Sequence, residues 1–217
     1  MTSWSVLGQP EGFVADRLAR YAELLRASPH NLLSSRGLEE LESRHFPEAV
    51  AFAKQLPEGS RVLDLGSGGG LPGLVIAIVR PDLSVHLLDA TKKKTDFLSE
   101  TASALGVPVS VHHGRAEERS KEDLADAYDV VTARAVAPLE RLAPLAAPFL
   151  RVGGRLHAIK GQRWTEELAQ AESAIRQACL RVVSTPSTDA RATEEHRPLT
   201  VVLERVSGLV EQPKNVR

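Results

Sequence analysis

In this 217-residue chain, the stretch RVLDLGSGGGLPG at positions 61–73 runs from apolar and acidic residues straight into glycines. Glycine adopts positive φ without strain and lets a ligand approach the backbone closely, so the stretch suits a binding loop. A plain tight turn needs fewer glycines than are present here. Because the loop follows an apolar strand candidate, we expect a ligand to bind beyond the carboxyl end of that strand.

Two ligand classes compete for this loop. GGGLPG, at positions 68–73, matches the dinucleotide-binding pattern G-x-G-x-x-G. The other register, D-x-G-x-G-x-G, is typical of methyltransferases that use S-adenosyl-L-methionine, and it comprises Asp64, Gly66, Gly68 and Gly70. A carboxylate at Asp64 would repel a pyrophosphate but attract the ammonium of a methionine moiety, which favours S-adenosylmethionine.

A second acidic residue, Asp89, ends the run SVHLLD about 20 residues beyond the glycine loop. A carboxylate at this point accepts hydrogen bonds from ribose hydroxyls, and both candidate ligands contain ribose. The alternative is an N-cap for the helix that follows, although Thr91 also offers a capping side chain. Asp89 therefore supports a nucleoside site without separating the two ligands.

The elements that must position these residues alternate after residue 60. The strand candidates are 61–65, 84–88, 108–112, 128–133, 154–160, 179–184 and 199–204, and the helix candidates between them are 72–79, 91–105, 138–149 and 164–177. Such alternation predicts an α/β fold with a mostly parallel sheet covered on both faces. The segment between the last two strands is too short for a helical crossover, so we expect seven strands with an antiparallel last strand.

The part before residue 60 reads as helical. Val14, Leu18, Tyr21 and Leu25 recur at helical spacing and predict a helix over 11–27. A second helical stretch, 37–56, contains a proline at position 47 that should interrupt it. The predicted organisation is a helical segment packed on the core (1–59), a ligand-binding domain (60–206) and a tail (207–217).

Composition limits the function classes. One cysteine, Cys179, excludes an intramolecular disulfide and any multi-cysteine zinc site, and we expect no metal. No apolar run approaches the roughly 20 residues of a membrane span, and the N-terminus does not resemble a secretory signal, so we expect a cytoplasmic protein without a membrane partner. The net charge of -1 gives no global reason to expect nucleic acid. Residues 134–163, however, contain six basic residues against one acid.

Five segments together carry a family resemblance: VLDLGSGGGLPGLVIAIVRPDL, LLDATKKKTDFL, GRAEE, ARAVAPL and AIKG. They resemble the bacterial 16S ribosomal RNA guanine-N7 methyltransferases of the glucose-inhibited division protein B type, over residues 60–162. The resemblance implies the class I S-adenosylmethionine methyltransferase (Rossmann-like) fold and S-adenosyl-L-methionine as cofactor. It also implies a guanine of 16S rRNA near the decoding site as substrate, within the small ribosomal subunit or its assembly intermediate.

The resemblance also implies cofactor contacts beyond the glycines. The corresponding positions are Leu71, Asp89, Ala90, Thr91, Ala116, Glu117 and Arg134. Arg134 follows the fourth strand candidate, so its side chain should point into the cleft, where the resemblance makes it a contact of cofactor and substrate. A guanidinium can offer paired donors to a carboxylate, a phosphate or a guanine edge.

Contacts to RNA are predicted from basic residues and from the N-terminal resemblance. They are Asn31, Arg44, His45, Lys92, Lys93, Lys160, Arg163 and Arg197. The alternative for the lysines is solvated surface charge. His45 also lies at helical spacing from Leu41 and Ala49, so a packed histidine is its alternative role.

The segment DVVTARAVAPL lacks two motifs of other methyltransferases: the [ND]-P-P-[FYW] tetrad of exocyclic-amine enzymes and the nucleophilic cysteine of pyrimidine C5 enzymes. N7 of guanine carries a lone pair and no hydrogen, so its methylation requires alignment and exclusion of water but no general base. Arg134 is therefore expected to position the reactants. A methyltransferase for a small molecule or protein, and a dinucleotide-binding module without catalysis, stay open as alternatives.

Overall fold

The computed structural model describes residues 11–122, 124–186 and 198–208, and it places helices on both faces of a seven-stranded sheet. The strands are β1 (Arg61–Leu65), β2 (Ser84–Asp89), β3 (Ser110–His113), β4 (Tyr128–Arg134), β5 (Leu150–Ile159), β6 (Leu180–Ser184) and β7 (Thr200–Arg205). The helices are α1 (Glu11–Ala27), α2 (Ser35–Glu39), α3 (Phe46–Ala53), α4 (Gly73–Val79), α5 (Lys92–Leu105), α6 (Ala116–Arg119), α7 (Leu139–Ala146) and α8 (Trp164–Gln177).

The strand order is β3-β2-β1-β4-β5-β7-β6. The pairs among β1 to β5 are parallel, whereas β7 is antiparallel to both β5 and β6. The prediction of seven strands with an antiparallel last strand is confirmed. Because β1, β2, β3, β4 and β5 are parallel, the loops that follow them lie at one edge of the sheet, which we call the carboxyl edge.

Several predicted boundaries were wrong. The helical stretch predicted over 37–56, with an interruption at Pro47, consists of α2, a π-helical turn at Leu41–His45 and α3. Pro47 does not break a helix, because it lies in the first turn of α3, where its missing N–H costs nothing. Strand β5 begins at Leu150, four residues before the predicted start, since the chain pairs with β4 as soon as a short 3₁₀ turn ends.

The helices before residue 60 pack on the sheet. Val14 of α1, Phe46 of α3, Ile76 of α4 and Leu98 of α5 belong to one buried apolar cluster with side chains from β1 and β2. The opposite face of the sheet packs against α7 and α8 in a second cluster. The first segment therefore has no core of its own, while the predicted divisions at residues 60 and 207 stay predictions.

The described ranges contain no helix long and apolar enough to cross a membrane. In the same ranges, no group of three or more histidine, cysteine, aspartate or glutamate side chains could hold a metal ion.

Candidate active site

The glycine loop connects β1 to α4 at the carboxyl edge. Gly66, Gly68 and Gly70 have φ values of 71°, 57° and 99°, a region that favours glycine. The backbone N–H groups of Gly66 and Ser67 donate to the carbonyl of Leu88 in β2, at 2.8 and 3.0 Å. The loop is therefore fastened to the neighbouring strand in a conformation that other residues would adopt only under strain.

Asp64 lies beneath this loop. Its Oδ2 accepts a hydrogen bond from the N–H of Gly73 at 3.1 Å, and the residue is 1% exposed. Burial raises the pKa of Asp64 to about 7, against the opposing effects of the Gly73 hydrogen bond and the Arg134 charge. The sequence suggested a carboxylate facing a ligand ammonium. The structure instead places it at the start of α4, where it lines neither of the cavities described below.

Replacing Asp64 by asparagine tests this burial. The folded-state pKa of about 7 lies above the ordinary 3.8. Between these two values the carboxyl is ionised in the unfolded state but neutral in the folded state, so the free energy of unfolding falls as the pH rises. We expect wild type and Asp64→Asn to unfold at similar temperatures near about pH 4, where both carry a neutral group, and the variant to be the more stable above about pH 7. A difference in melting temperature between the two proteins that stays constant from about pH 4 to above about pH 7 would contradict the burial of Asp64 as a neutral group.

Asp89 ends β2 with both carboxylate oxygens engaged. Its Oδ2 accepts from the N–H of Gly68 at 2.9 Å, and its Oδ1 accepts from the N–H of Thr91 at 2.8 Å. The Nζ of Lys94 lies 3.9 Å from Oδ2. Asp89 therefore links the glycine loop to the start of α5. The bond to Thr91 resembles the capping alternative. Ribose binding stays a prediction, and it is compatible with these two bonds because a carboxylate oxygen can accept more than one hydrogen bond.

We expect Asp89→Ala to have two effects, because the same carboxylate holds the loop and faces the cavity. Cofactor affinity should fall by about 1–3 kcal/mol, the cost of a lost hydrogen bond to a charged group, and the melting temperature should fall as well. Calorimetry with S-adenosylhomocysteine and a thermal melt measure the two effects. Unchanged affinity alongside a lower melting temperature would assign Asp89 a structural role only.

A cavity of about 320 Å³ opens beside Asp89 at the carboxyl edge. Its lining includes Gly66, Asp89, Ala90, Arg115, Ala116, Glu117, Val136, Pro138 and Arg141. Glu117 is exposed and Ala116 is half-buried, both at the start of α6. Leu71 is 5% exposed and belongs to the apolar cluster under α4, so its side chain does not line this cavity. We call this space the nucleoside cavity.

Sequence reasoning missed Tyr21 as an anchor of the loop. The hydroxyl of Tyr21, in α1, donates to the carbonyl of Gly69 at 2.6 Å, and burial raises the pKa of Tyr21 above its ordinary range. A Cβ on Gly70 would lie 2.7 Å from this hydroxyl, so only glycine fits. The helical spacing of Tyr21 indicated a core position, and nothing in the sequence pointed to a distant loop.

A second, larger cavity of about 910 Å³ adjoins the first. Its lining includes Arg44, His45, Glu48, Arg134, Lys160, Gln162 and Leu199. Val136, Ala137 and Pro138 line both cavities and form a shared wall. We call this space the acceptor cavity. Arg44, His45 and Glu48 thus meet the ends of β4 and β5 in this cavity. The role of Arg44 and His45 as RNA contacts stays a prediction.

Arg134 lies where β4 enters the acceptor cavity. Its Nη1 is 3.2 Å from Nδ1 of His45, which in turn lies 3.7 Å from Oε2 of Glu48. Burial lowers the pKa of Arg134, while Asp64, Tyr21 and Glu48 oppose that shift. An arginine stays charged in proteins even so, and the cleft therefore contains a half-buried guanidinium.

The other predicted RNA contacts divide into paired and free side chains. Lys160 is not a free cation: its Nζ lies 2.7 Å from Glu167 and donates to the carbonyl of Ala137 at 2.9 Å. Lys92 pairs with Asp96, and Arg44 pairs with Glu40 and Glu48. Lys93, Arg163 and Asn31 are exposed, and Arg197 lies outside the described residues.

The strand order and the glycine loop after β1 are those of the class I methyltransferase fold. A ribosomal protein L11 methylase from Lactobacillus delbrueckii subsp. bulgaricus has a similar fold, with a TM-score of 0.55 at 15% identity over 74% of this chain and 77% of that one. The chain belongs to the family described as rRNA small subunit methyltransferase G, whose model matches residues 15–197. It is therefore a methyltransferase.

Curated relatives agree with this membership. A ribosomal RNA small subunit methyltransferase G from Sorangium cellulosum is 42% identical over 83% of this chain and 85% of its own length. A protein of the same name from Mycolicibacterium gilvum is 38% identical over 85% of this chain and 81% of its own length.

Proposed function

We propose that this protein uses S-adenosyl-L-methionine to methylate N7 of a guanine in 16S rRNA, near the decoding site of the small ribosomal subunit or its assembly intermediate. The observation that carries the proposal is the wall shared by the nucleoside and acceptor cavities, Val136 to Pro138. Two such spaces in contact suit a methyl donor and an acceptor base. The family supports small-subunit RNA as the substrate, and such a substrate supports a cytoplasmic location.

The residues at the carboxyl edge suit this cofactor. A Cβ built on Gly68 would meet no heavy atom nearer than the Gly66 carbonyl oxygen at 3.8 Å, so the loop presents open backbone rather than packed side chains. Asp89 is positioned for ribose hydroxyls, and Ala90, Ala116 and Glu117 surround the space for the adenine. The loop, with Gly66 and Gly70, would hold the methionine portion.

S-adenosylmethionine bound at this site would supply an electrophilic methyl group. The bond from this methyl group to the sulfonium sulfur would break as the lone pair of guanine N7 forms the new N–C bond, which would leave S-adenosylhomocysteine. The protein must hold the base in line with the methyl group and exclude water. Arg134 can orient the guanine edge or an adjacent phosphate through paired N–H donors. Val136 and Pro138 supply an apolar wall, and no residue has to remove a proton.

Two alternatives have weaker support. A methyltransferase for a small molecule or protein could share this fold, but the relatives at 38% and 42% identity carry the name of an rRNA enzyme. A dinucleotide-binding module accounts for the glycine loop alone and leaves the acceptor cavity unused.

Labelled methyl transfer to isolated 30S subunits tests the proposal. Subunits from cells without this protein should accept the label, whereas subunits from cells that contain it should already be modified. Chemical cleavage at N7-methylguanine should locate one site in 16S rRNA. Transfer to free small molecules but not to 30S subunits, or label at another atom, would refute it.

A further inference from the structure

We propose that the sugar-phosphate backbone of the RNA substrate binds to an arc of four exposed cations along the carboxyl edge: Lys93, Arg115, Arg141 and Arg163. We call this set the cation arc. The proposal rests on the proposed function, since RNA is the partner. It adds Arg115 and Arg141 to the contacts suggested by sequence and leaves out Lys92 and Lys160.

The topology brings these residues together. Lys93 follows β2, Arg115 follows β3, Arg141 follows β4, and Arg163 follows β5. Since the sheet order is β3-β2-β1-β4-β5, the cations succeed one another along the edge in the order 115, 93, 141, 163. Four strand spacings correspond to about 19 Å, a width that consecutive phosphates of one RNA strand can span.

The arc cations have no partner among the described residues, unlike most of the other described cations. Most described lysines and arginines form an ion pair, a hydrogen bond or a ring contact, including Lys92 with Asp96 and Lys160 with Glu167. Within the described ranges, the side chains without any of these are Lys54, Lys93, Arg115, Lys121, Arg141 and Arg163. All are exposed, so their charges are available to a polyanion.

Local helix stability does not explain the arc. Lys93 and Arg141 lie in the first turns of α5 and α7, and Arg115 and Arg163 are the N-cap residues of α6 and α8. Cations at these positions oppose the helix dipole and therefore destabilise the helix locally. Four unpaired cations with an unfavourable local effect point to an external anion.

The arc lies beside the reaction site. Arg115 and Arg141 line the nucleoside cavity together with Asp89 and Val136. A phosphate bound by either guanidinium would hold its nucleotide near the wall shared with the acceptor cavity. Phosphate contacts of this kind fix position and register without reading the base, which suits an enzyme that must present one guanine.

The salt dependence of binding tests the arc. Labelled enzyme is titrated with unmethylated 30S subunits in the presence of S-adenosylhomocysteine at several potassium chloride concentrations and constant magnesium. Each lost phosphate contact should reduce the magnitude of the slope of log K against log salt by about 0.7–0.9. We therefore expect a reduction of this size in Arg141→Gln and in Arg163→Gln, and the sum of both reductions in the double variant. We expect the unfolding temperature of these variants to stay at or above that of wild type.

Lys54→Gln and Lys121→Gln are matched controls. Both lysines are exposed and unpaired within the described residues. They differ from the arc residues in position, because Lys54 is the C-cap residue of α3 and Lys121 follows the C-terminus of α6, whereas every arc residue lies at the start of a helix that follows a strand. Their slopes should equal that of wild type. Equal losses in the controls and the arc variants would replace the arc by a general charge effect. Wild-type slopes in the arc variants, with methyl transfer to 30S subunits intact, would overturn the arc and leave the proposed function standing.

Discussion

Gly68→Val should abolish S-adenosylmethionine binding in a protein that still folds. The φ of Gly68 is 57°, and a Cβ there would meet no heavy atom nearer than 3.8 Å. The N–H of Gly68 donates to Asp89, which lines the nucleoside cavity. A valine side chain would occupy the approach of the ligand. We expect the affinity for S-adenosylhomocysteine to fall by about 100-fold or more, equal to about 3 kcal/mol, in calorimetry.

Two other glycines separate strain from ligand exclusion. Gly59 has a similar φ of 66° and no heavy atom within 4 Å of a built Cβ, but it precedes β1 and lies away from the loop. Gly59→Val should therefore share the strain, about 1–2 kcal/mol, and keep wild-type cofactor affinity. Gly73→Ala should impair folding, because its Cβ would lie 2.4 Å from Leu87 and 2.6 Å from Asp64. Full binding by Gly68→Val, or equal loss in Gly59→Val, would contradict the loop assignment.

Loss of turnover in Arg134→Ala is the second large effect. The guanidinium contacts His45, and both residues line the acceptor cavity, so removal of the guanidinium should reduce turnover by about 100-fold or more through lost positioning. Arg134→Lys should not restore activity, because an ammonium cannot reproduce a planar pair of donors. Single-turnover methyl transfer to 30S subunits measures both variants, with thermal unfolding as a check on the fold.

The pH profile distinguishes positioning from proton removal. If the acceptor is guanine N7, no essential base exists whose protonation could stop the reaction. Methyl transfer by wild type at saturating substrate should therefore show no acidic limb between about pH 6.5 and 9, provided that chemistry limits the rate. Arg134 of the wild type stays charged throughout this range, so its replacement removes no group that titrates there. The residual activity of the Arg134 variants should therefore show no new pH dependence. A single ionisation that controls the chemical step and vanishes when His45 or Glu117 is replaced would indicate a required base. Full activity in Arg134→Ala would remove Arg134 from the mechanism.

Much of the fold could be predicted because it depends on local patterns. Apolar runs separated by helical stretches indicated the strands, and the short segment between β6 and β7 required an antiparallel pair. The acid and glycines of 64–70 marked the binding loop, since positive φ limits the choice of residue. Boundaries were less predictable, as at the π-helical turn Leu41–His45, where packing overrides periodicity.

The roles of individual side chains depended on neighbours that are distant in sequence. The hydroxyl of Tyr21 reaches Gly69, and Arg134 reaches His45, through packing of the N-terminal helices on the sheet. The depth of Asp64 beneath the loop also follows from that packing, and it changes a carboxylate expected to face the ligand into a buried group.

The sequence by itself determined which strands and helices follow one another along the chain, the glycine loop and the acid that ends β2. These follow from residue types at short spacings, which set local conformation. Only the tertiary structure decided which charges are free. Lys160 and Arg163 are three residues apart, yet one pairs with Glu167 while the other faces solvent. The difference arises because a charge is neutralised by whichever groups the fold brings within reach, and sequence spacing does not specify that distance.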